Sequence, residues 1–563
     1  MKTSFTKVLY AILASITGYY YYIHLKHAIN FPVNDEYRTI STVIVDYLHA
    51  PRFWEKLKVL LVNENESLQL FLKLANILFY HVTGGVRYDF LGYIGQLSLL
   101  AFPLVVYRVN RHSKTLWFDL GMTVLVIFNL QYYVLSFRHD TSFYYHVGLF
   151  GVLFSVYYWV QRKYLPAALF FLLGIFNNTS SVLVLPVFVL DYVLSSARIE
   201  KKYLLAGGAG FLGLLAVFYF LNPYLFYLPE GLEVTVKAFL ILLGNLVEFW
   251  FGHVSEKPYL MIGVLFLLFI LGAFVYYIVF YKQKSRRGQF YALLAFYFFI
   301  SIVAIALKRS FLYHYLSNLL DHRYKIFTFP LLLFLILLWN EMKVVKPWLR
   351  STVLVAFLGY NVLCAFRAQD LVRFYDQAIR LNSVSVPQGY DMMGPVHINF
   401  AVRVYGELDS LGLAPASDPE AQRLYDFLKS VKPDGRYPVW DAEVEVSRIF
   451  DSNRYHTIQR VIGRADRRAS WLFLKSDEHA FLFPIDFYYP RPFSEFVRRG
   501  EYFDGQFQSA MFLSVLEKGE YDFGLVSEEK DGNYSIQVHP QKTVIDEKAL
   551  NLTDEFPKPE TPS

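Results

Sequence analysis

Residues 66–82 read ESLQLFLKLANILFYHV, and whether this stretch crosses a bilayer or lies on it sets the orientation of everything after it. Its polar positions are Glu66, Gln69, Lys73, Asn76 and Tyr80, and their alternating spacing of three and four draws one stripe along a helix. Leu70, Phe71, Leu74, Ile77, Leu78 and Phe79 occupy the other faces, with Lys73 in the middle. The pattern predicts an amphipathic helix lying flat at a membrane interface, not a span.

Working outward, apolar runs recur on both sides of this segment. The chain has 563 residues, 55% hydrophobic and 19% aromatic, far from an ordinary soluble composition. Eleven spans are predicted, at about 8–25, 87–107, 116–137, 142–160, 164–177, 180–195, 203–222, 258–281, 290–307, 325–341 and 350–366. The first is expected to be an uncleaved signal anchor, with Tyr19 to Tyr22 as an interfacial belt. The segment 235–251, interrupted by Lys237, Asn245 and Glu248, reads as a second surface or re-entrant helix.

With 66–82 held outside, the Lys and Arg residues around 108–114, 162–163, 198–202, 282–287 and 343–350 fall in inner loops, as the positive-inside rule requires. The N-terminus is then cytoplasmic and the C-terminal part extracytoplasmic, as in a bacterial cytoplasmic membrane. The net charge of +6 sits in these loops and speaks for topology, not for nucleic acid. The single cysteine, Cys364, excludes an intrachain disulfide.

The expected fold is an α-helical polytopic membrane protein over 1–366, with residues 26–86 as its first outer loop. A helical or mixed connector follows over 367–465. A small antiparallel β-sandwich is predicted at 466–545, and a disordered tail at 546–563. Within the β region, 471–475 and 480–483 read as a hairpin about the turn 476–479, with further strands at 510–516, 521–526 and 534–538. Helices are expected over 367–390 and 418–431.

Polar residues expected on the outer face supply the chemistry. Asn34-Asp35-Glu36 follows Pro32 just beyond the first span. Adjacent carboxylates beside an apolar wall suit a general base, but acids are also favoured at a helix start, and 37–50 looks helical. Glu66 heads the amphipathic stripe and would turn a second carboxylate toward the first; Glu64 reads as a capping residue. The cations are Arg138, Lys308, Arg309, Arg323 and Lys325. Arg323 and Lys325, at the mouth of a span, could hold a lipid phosphate. End-of-helix cations also snorkel to headgroups, which is the competing reading for each of them. No Walker loop, no GxGxxG and no close His/Cys metal set occurs in the sequence.

In layout the chain resembles the GT-C class of membrane glycosyltransferases, which includes protein O-mannosyltransferases and lipid A aminoarabinose transferases. Asp35-Glu36 resembles the acidic pair of the class's first outer loop, and Asn65-Glu66 its second acidic position. His322-Arg323-Tyr324-Lys325 is similar to an Arg-Tyr-Lys run in a bacterial branch of undefined substrate. Glu66 is followed by Ser67-Leu68-Gln69, not by the Pro-Pro stretch of several relatives, so no substrate carries over.

The resemblance implies Asp35 as catalytic base, Glu66 as a helper orienting the acceptor, and Arg323 and Lys325 on a polyprenyl phosphate. The expected activity is transfer of a sugar, with inversion, from a polyprenyl-phosphate donor to a glycan, lipid or protein acceptor of the cell envelope. A divalent metal requirement is left open. The competing expectations are a lipid-linked glycan flippase or other transporter and a non-catalytic envelope assembly protein.

Overall fold

Helices make up most of the first 365 residues, and among the described residues eight strands follow between Glu443 and Ile545. The computed structural model describes residues 2–33, 35–61, 69–132, 137–195, 208–214, 216, 231–248, 255–280, 285–310, 313, 316–320, 322–390, 398–432, 437–451, 454–465, 470–486, 493–499, 504–513, 516–529 and 531–545. The chain forms two compact units. One comprises residues 1–28 and 46–365, and the other comprises 29–45 and 366–563.

Among the described residues, six helices are long and apolar enough to cross a membrane: Tyr88–Asn110, His139–Val160, Lys257–Val279, Arg286–Arg309, Arg323–Glu341 and Pro347–Gln388. They coincide with six of the eleven predicted spans. The other five differ for physical reasons. Helix Lys2–His27 is long, but its tyrosines and histidines leave it less apolar than the six. Leu116–Tyr132, Tyr164–Asn177 and Thr179–Val193 are apolar but short. At 1.5 Å per residue, 14 residues reach about 21 Å, against a hydrocarbon core of about 30 Å. Most of 203–222 lies outside the described residues.

The deciding stretch forms helix Leu70–Thr83. Lys73 and Asn76 on its polar stripe are buried, while Leu74, Leu78 and Val82 are exposed. Polar inside and apolar outside is the reverse of a water-soluble helix and fits one that faces lipid. Lys257–Val275 also turns apolar side chains outward, with Met261, Leu265, Leu268 and Leu271 exposed. Of the expected surface or re-entrant helix at 235–251, residues 235–248 are described, and they pack against neighbouring helices. Leu232–Gly244 packs Ala238, Ile241 and Leu242 inward, and a Cβ on Gly244 would lie 2.0 Å from the Tyr259 carbonyl oxygen. That approach to the neighbouring helix requires glycine, as small residues permit in membrane packing.

The second unit is built on two antiparallel sheets. Strands β1 (Glu443–Asp451), β2 (Arg454–Arg464) and β5 (Gln506–Phe512) form one, in the order β1-β2-β5. The other orders β4 (Ala480–Pro484), β3 (Ser470–Lys475), β6 (Gly519–Glu528) and β7 (Tyr534–Val538), with β8 (Thr543–Ile545) also on β6. One apolar core joins both sheets, through Val461, Phe507 and Met511 on one side and Leu472, Leu474, Phe523 and Val526 on the other. The hairpin at 471–483 forms as expected, pairing Leu472 with Phe483 and Leu474 with Phe481. The sheet region begins at Glu443, ahead of the expected 466, because β1 and β2 pair over their full length.

Helix Pro419–Ser430 covers the same core with Leu424, Tyr425 and Leu428. Its start is set by Asp418, which accepts hydrogen bonds from the N–H groups of Glu420 and Ala421, with Pro419 at the first helical position. Arg380 braces this cap, bonding Asp418 at 2.6 Å and Asp376 at 3.0 Å. A further helix, Ile398–Ser410, buries Ala401, Val404 and Leu408 and packs on the 37–41 turn.

Candidate functional site

The first N–H groups of a helix have no partners within it. After residue 29 the chain solves this with the second acid of the pair. The Val33 N–H donates to Glu36 Oε2 at 2.9 Å, and the Glu36 N–H donates to the Val33 carbonyl at 3.0 Å. The Glu36 half of this contact is that of a capping box, while the return bond is a backbone turn to the Val33 carbonyl. Glu36 is fully buried, as are Phe31, Val33 and Tyr37 around it. Its side chain braces the turn from inside.

Asp35 differs. Its carbonyl accepts from the Arg38 and Thr39 N–H groups at 2.9 and 2.8 Å, so its backbone is fixed in the first turn, while its side chain stays half-buried. The next five residues, Tyr37–Ser41, form a π-turn in which the Thr42 N–H reaches the Tyr37 carbonyl. Such turns occur often at functional sites. Of the two acids, Asp35 is the less buried. Glu66 and Asn34 lie outside the described residues.

The five cations belong to the other unit, and the direction of its helices places them. At one end of the bundle, Arg287 and Ser285 bind Glu341. Asn340 donates to Asp119, and Asp191 accepts from Trp159, Arg162 and Gln289. These contacts join the start of Arg286–Arg309 to the ends of His139–Val160 and His322–Glu341. The opposite ends of the same helices therefore carry Arg138, Lys308, Arg309, Arg323 and Lys325 together. All five lie toward that end of the helices that carry them.

They are not equivalent. Lys325 is 1% exposed and pairs with Glu248, itself 2% exposed, at 2.7 Å. A desolvated pair of this kind cancels its own charge, and removal of one partner costs about 3–5 kcal/mol. Lys325 thus moves from the expected phosphate-binding set to the interior. Its signal in the sequence was Glu248, an acid within an apolar run that needs a cation to be buried.

Arg323 is half-buried, with its guanidinium 5.1 Å from the Tyr324 ring centroid. Arg323 and Asp140 both lie within electrostatic range of Tyr144. Arg138 is half-buried at the entry to His139–Val160, where Asp140 accepts from the Thr141 hydroxyl at 2.9 Å. Lys308 and Arg309 end their helix, where its dipole favours positive charge.

Comparison of the chain with protein-family models, with curated proteins and with solved structures gives no match.

One more titratable group stands out in the C-terminal unit. Burial pushes the Asp486 carboxyl up to about 7, against the opposing pull of Arg367. It follows β4 and was not singled out in the sequence, where nothing marks it as buried.

Proposed function

We propose that the chain is a membrane glycosyltransferase that moves a sugar from a polyprenyl-phosphate donor to an extracytoplasmic acceptor with inversion. The observation that carries this reading is the gathering of Arg138, Lys308, Arg309 and Arg323 at one end of an apolar bundle, where a lipid-borne phosphate would meet them. Guanidinium groups match phosphate oxygens with paired hydrogen bonds, and lysine adds point charge. Asp35 acts as base. The acceptor oxygen attacks the anomeric carbon and its proton passes to the Asp35 carboxylate. The bond from that carbon to the phosphate oxygen breaks, and its electron pair leaves on the phosphate. Cations on the phosphate stabilise the charge that develops there, so a strong acid is less needed than in glycoside hydrolysis.

The test uses purified protein in nanodiscs, an isotope-labelled polyprenyl-phosphate sugar and host membrane extract as acceptor. Asp35→Asn is expected to lower turnover about 100-fold or more at unchanged melting temperature. Arg323→Ala is expected to raise the KM for the donor. A folded Asp35→Asn protein that transfers at the wild-type rate overturns the assignment, and movement of the lipid without a new glycosidic bond favours a flippase.

A further inference from the structure

Helix Phe53–Leu61 has no buried residue, although five of its nine side chains are Phe, Trp or Leu. At 100° per residue, Phe53, Trp54, Leu57, Leu60 and Leu61 fall within an arc about 120° wide. Phe53 and Trp54 are 72% and 70% exposed. Lys56 and Lys58 stand on opposite margins of this arc, while Glu55 and Val59 lie behind it. The back of the helix is occupied, because Lys73 Nζ donates to the Val59 carbonyl at 3.3 Å. Arg52 and Lys58 are exposed, and the Lys56 ammonium lies 4.7 Å from the Tyr47 ring centroid. The helix held against it, Leu70–Thr83, also turns leucines outward and its lysine inward.

We propose that Phe53–Leu61 is an interfacial anchor that lies in the headgroup layer of an anionic leaflet. Its aromatic and leucine arc enters the acyl-chain boundary, and Arg52, Lys56 and Lys58 meet lipid phosphates. Three features select lipid as the occupant. The arc is flanked by cations on both margins, which lets their stems follow the apolar surface while their charges reach phosphate. Three cations against one acid complement an anionic surface. Leu70–Thr83, held against the same helix, also exposes Leu74 and Leu78, so both helices offer an apolar face. The proposal does not depend on the transferase reading.

The test places nitroxide labels one at a time at positions 54, 55, 57 and 59 of the full-length protein in nanodiscs. Buried Cys364 is left in place, with the unsubstituted protein as control for its labelling. Collisions with oxygen, which concentrates in lipid, are compared with collisions with a water-soluble nickel chelate. Positions 54 and 57 are expected to favour oxygen, with 55 and 59 shifted toward the chelate. In anionic nanodiscs labels 54 and 57 should sit deeper than in zwitterionic ones, a difference lost in the double variant Arg52→Gln, Lys58→Gln. Equal access of the chelate to 54 and 55 overturns the proposal. Poor access of both reagents to 54 also overturns it, since protein and not lipid then covers the arc.

Discussion

Asp35 and Glu36 are neighbours with opposite assignments, and substitution separates them. Glu36→Ala leaves the buried Val33 N–H without its acceptor, which costs about 1–3 kcal/mol. Its melting temperature should fall while the turnover of the folded protein holds, the reverse of Asp35→Asn. The Glu248–Lys325 pair gives a second residue-scale prediction. Lys325→Met alone removes the cation 2.7 Å from a buried carboxylate and should cost about 3–5 kcal/mol, whereas Lys325→Met with Glu248→Leu should recover most of that loss in thermal melts. Asp486 gives a third. Its folded-state value near 7 lies above its ordinary 3.8, so the folded unit binds the proton more tightly than the unfolded chain. Stability is therefore greatest below the ordinary value and falls as pH rises toward about 7. Asp486→Asn should flatten this decline, and melting of the full-length protein from pH 4 to pH 8 measures it.

At the scale of elements, what was legible is what local pattern dictates. The stripe of 66–82 was visible in its spacing, and the helix formed there buries Lys73 and Asn76 along it. The hairpin at 471–483 and the Asp418-Pro419 helix start carry their own turn and capping chemistry. Helix Ile398–Ser410 was not read, because its β-branched residues and Gly406 give weak helical propensity, and burial of Ala401, Val404 and Leu408 decides it instead. Strands β1 and β2 were missed although Glu443-Val444-Glu445-Val446 alternates with period two. The two exposed glutamates suit an edge strand, where charge discourages unwanted pairing. Of the candidate site, Asp35 was legible as an acid in a turn. The burial of Glu36 and the partner of Lys325 were not, since each depends on contacts that spacing does not encode. Val446, exposed on β1, should accept Lys with a stability change within about 0.5 kcal/mol.

At the scale of the molecule, composition announces a membrane protein, and six long apolar helices among the described residues carry that reading, three of them (Tyr88–Asn110, Lys257–Val279 and Arg286–Arg309) with exposed leucines. Helix length is where the sequence overreached, since an apolar run and a spanning helix are different things when the helix stops after 14 residues. The proposed transfer requires Asp35 and the cations Arg138, Lys308, Arg309 and Arg323 to face one compartment. Single cysteines replacing Asp35, Lys308 and Arg162, labelled in intact cells with a membrane-impermeant thiol reagent, test it most directly. Positions 35 and 308 are predicted to react from outside, and 162 only after the cells are opened. Reaction of 35 and 308 from opposite sides would contradict the account.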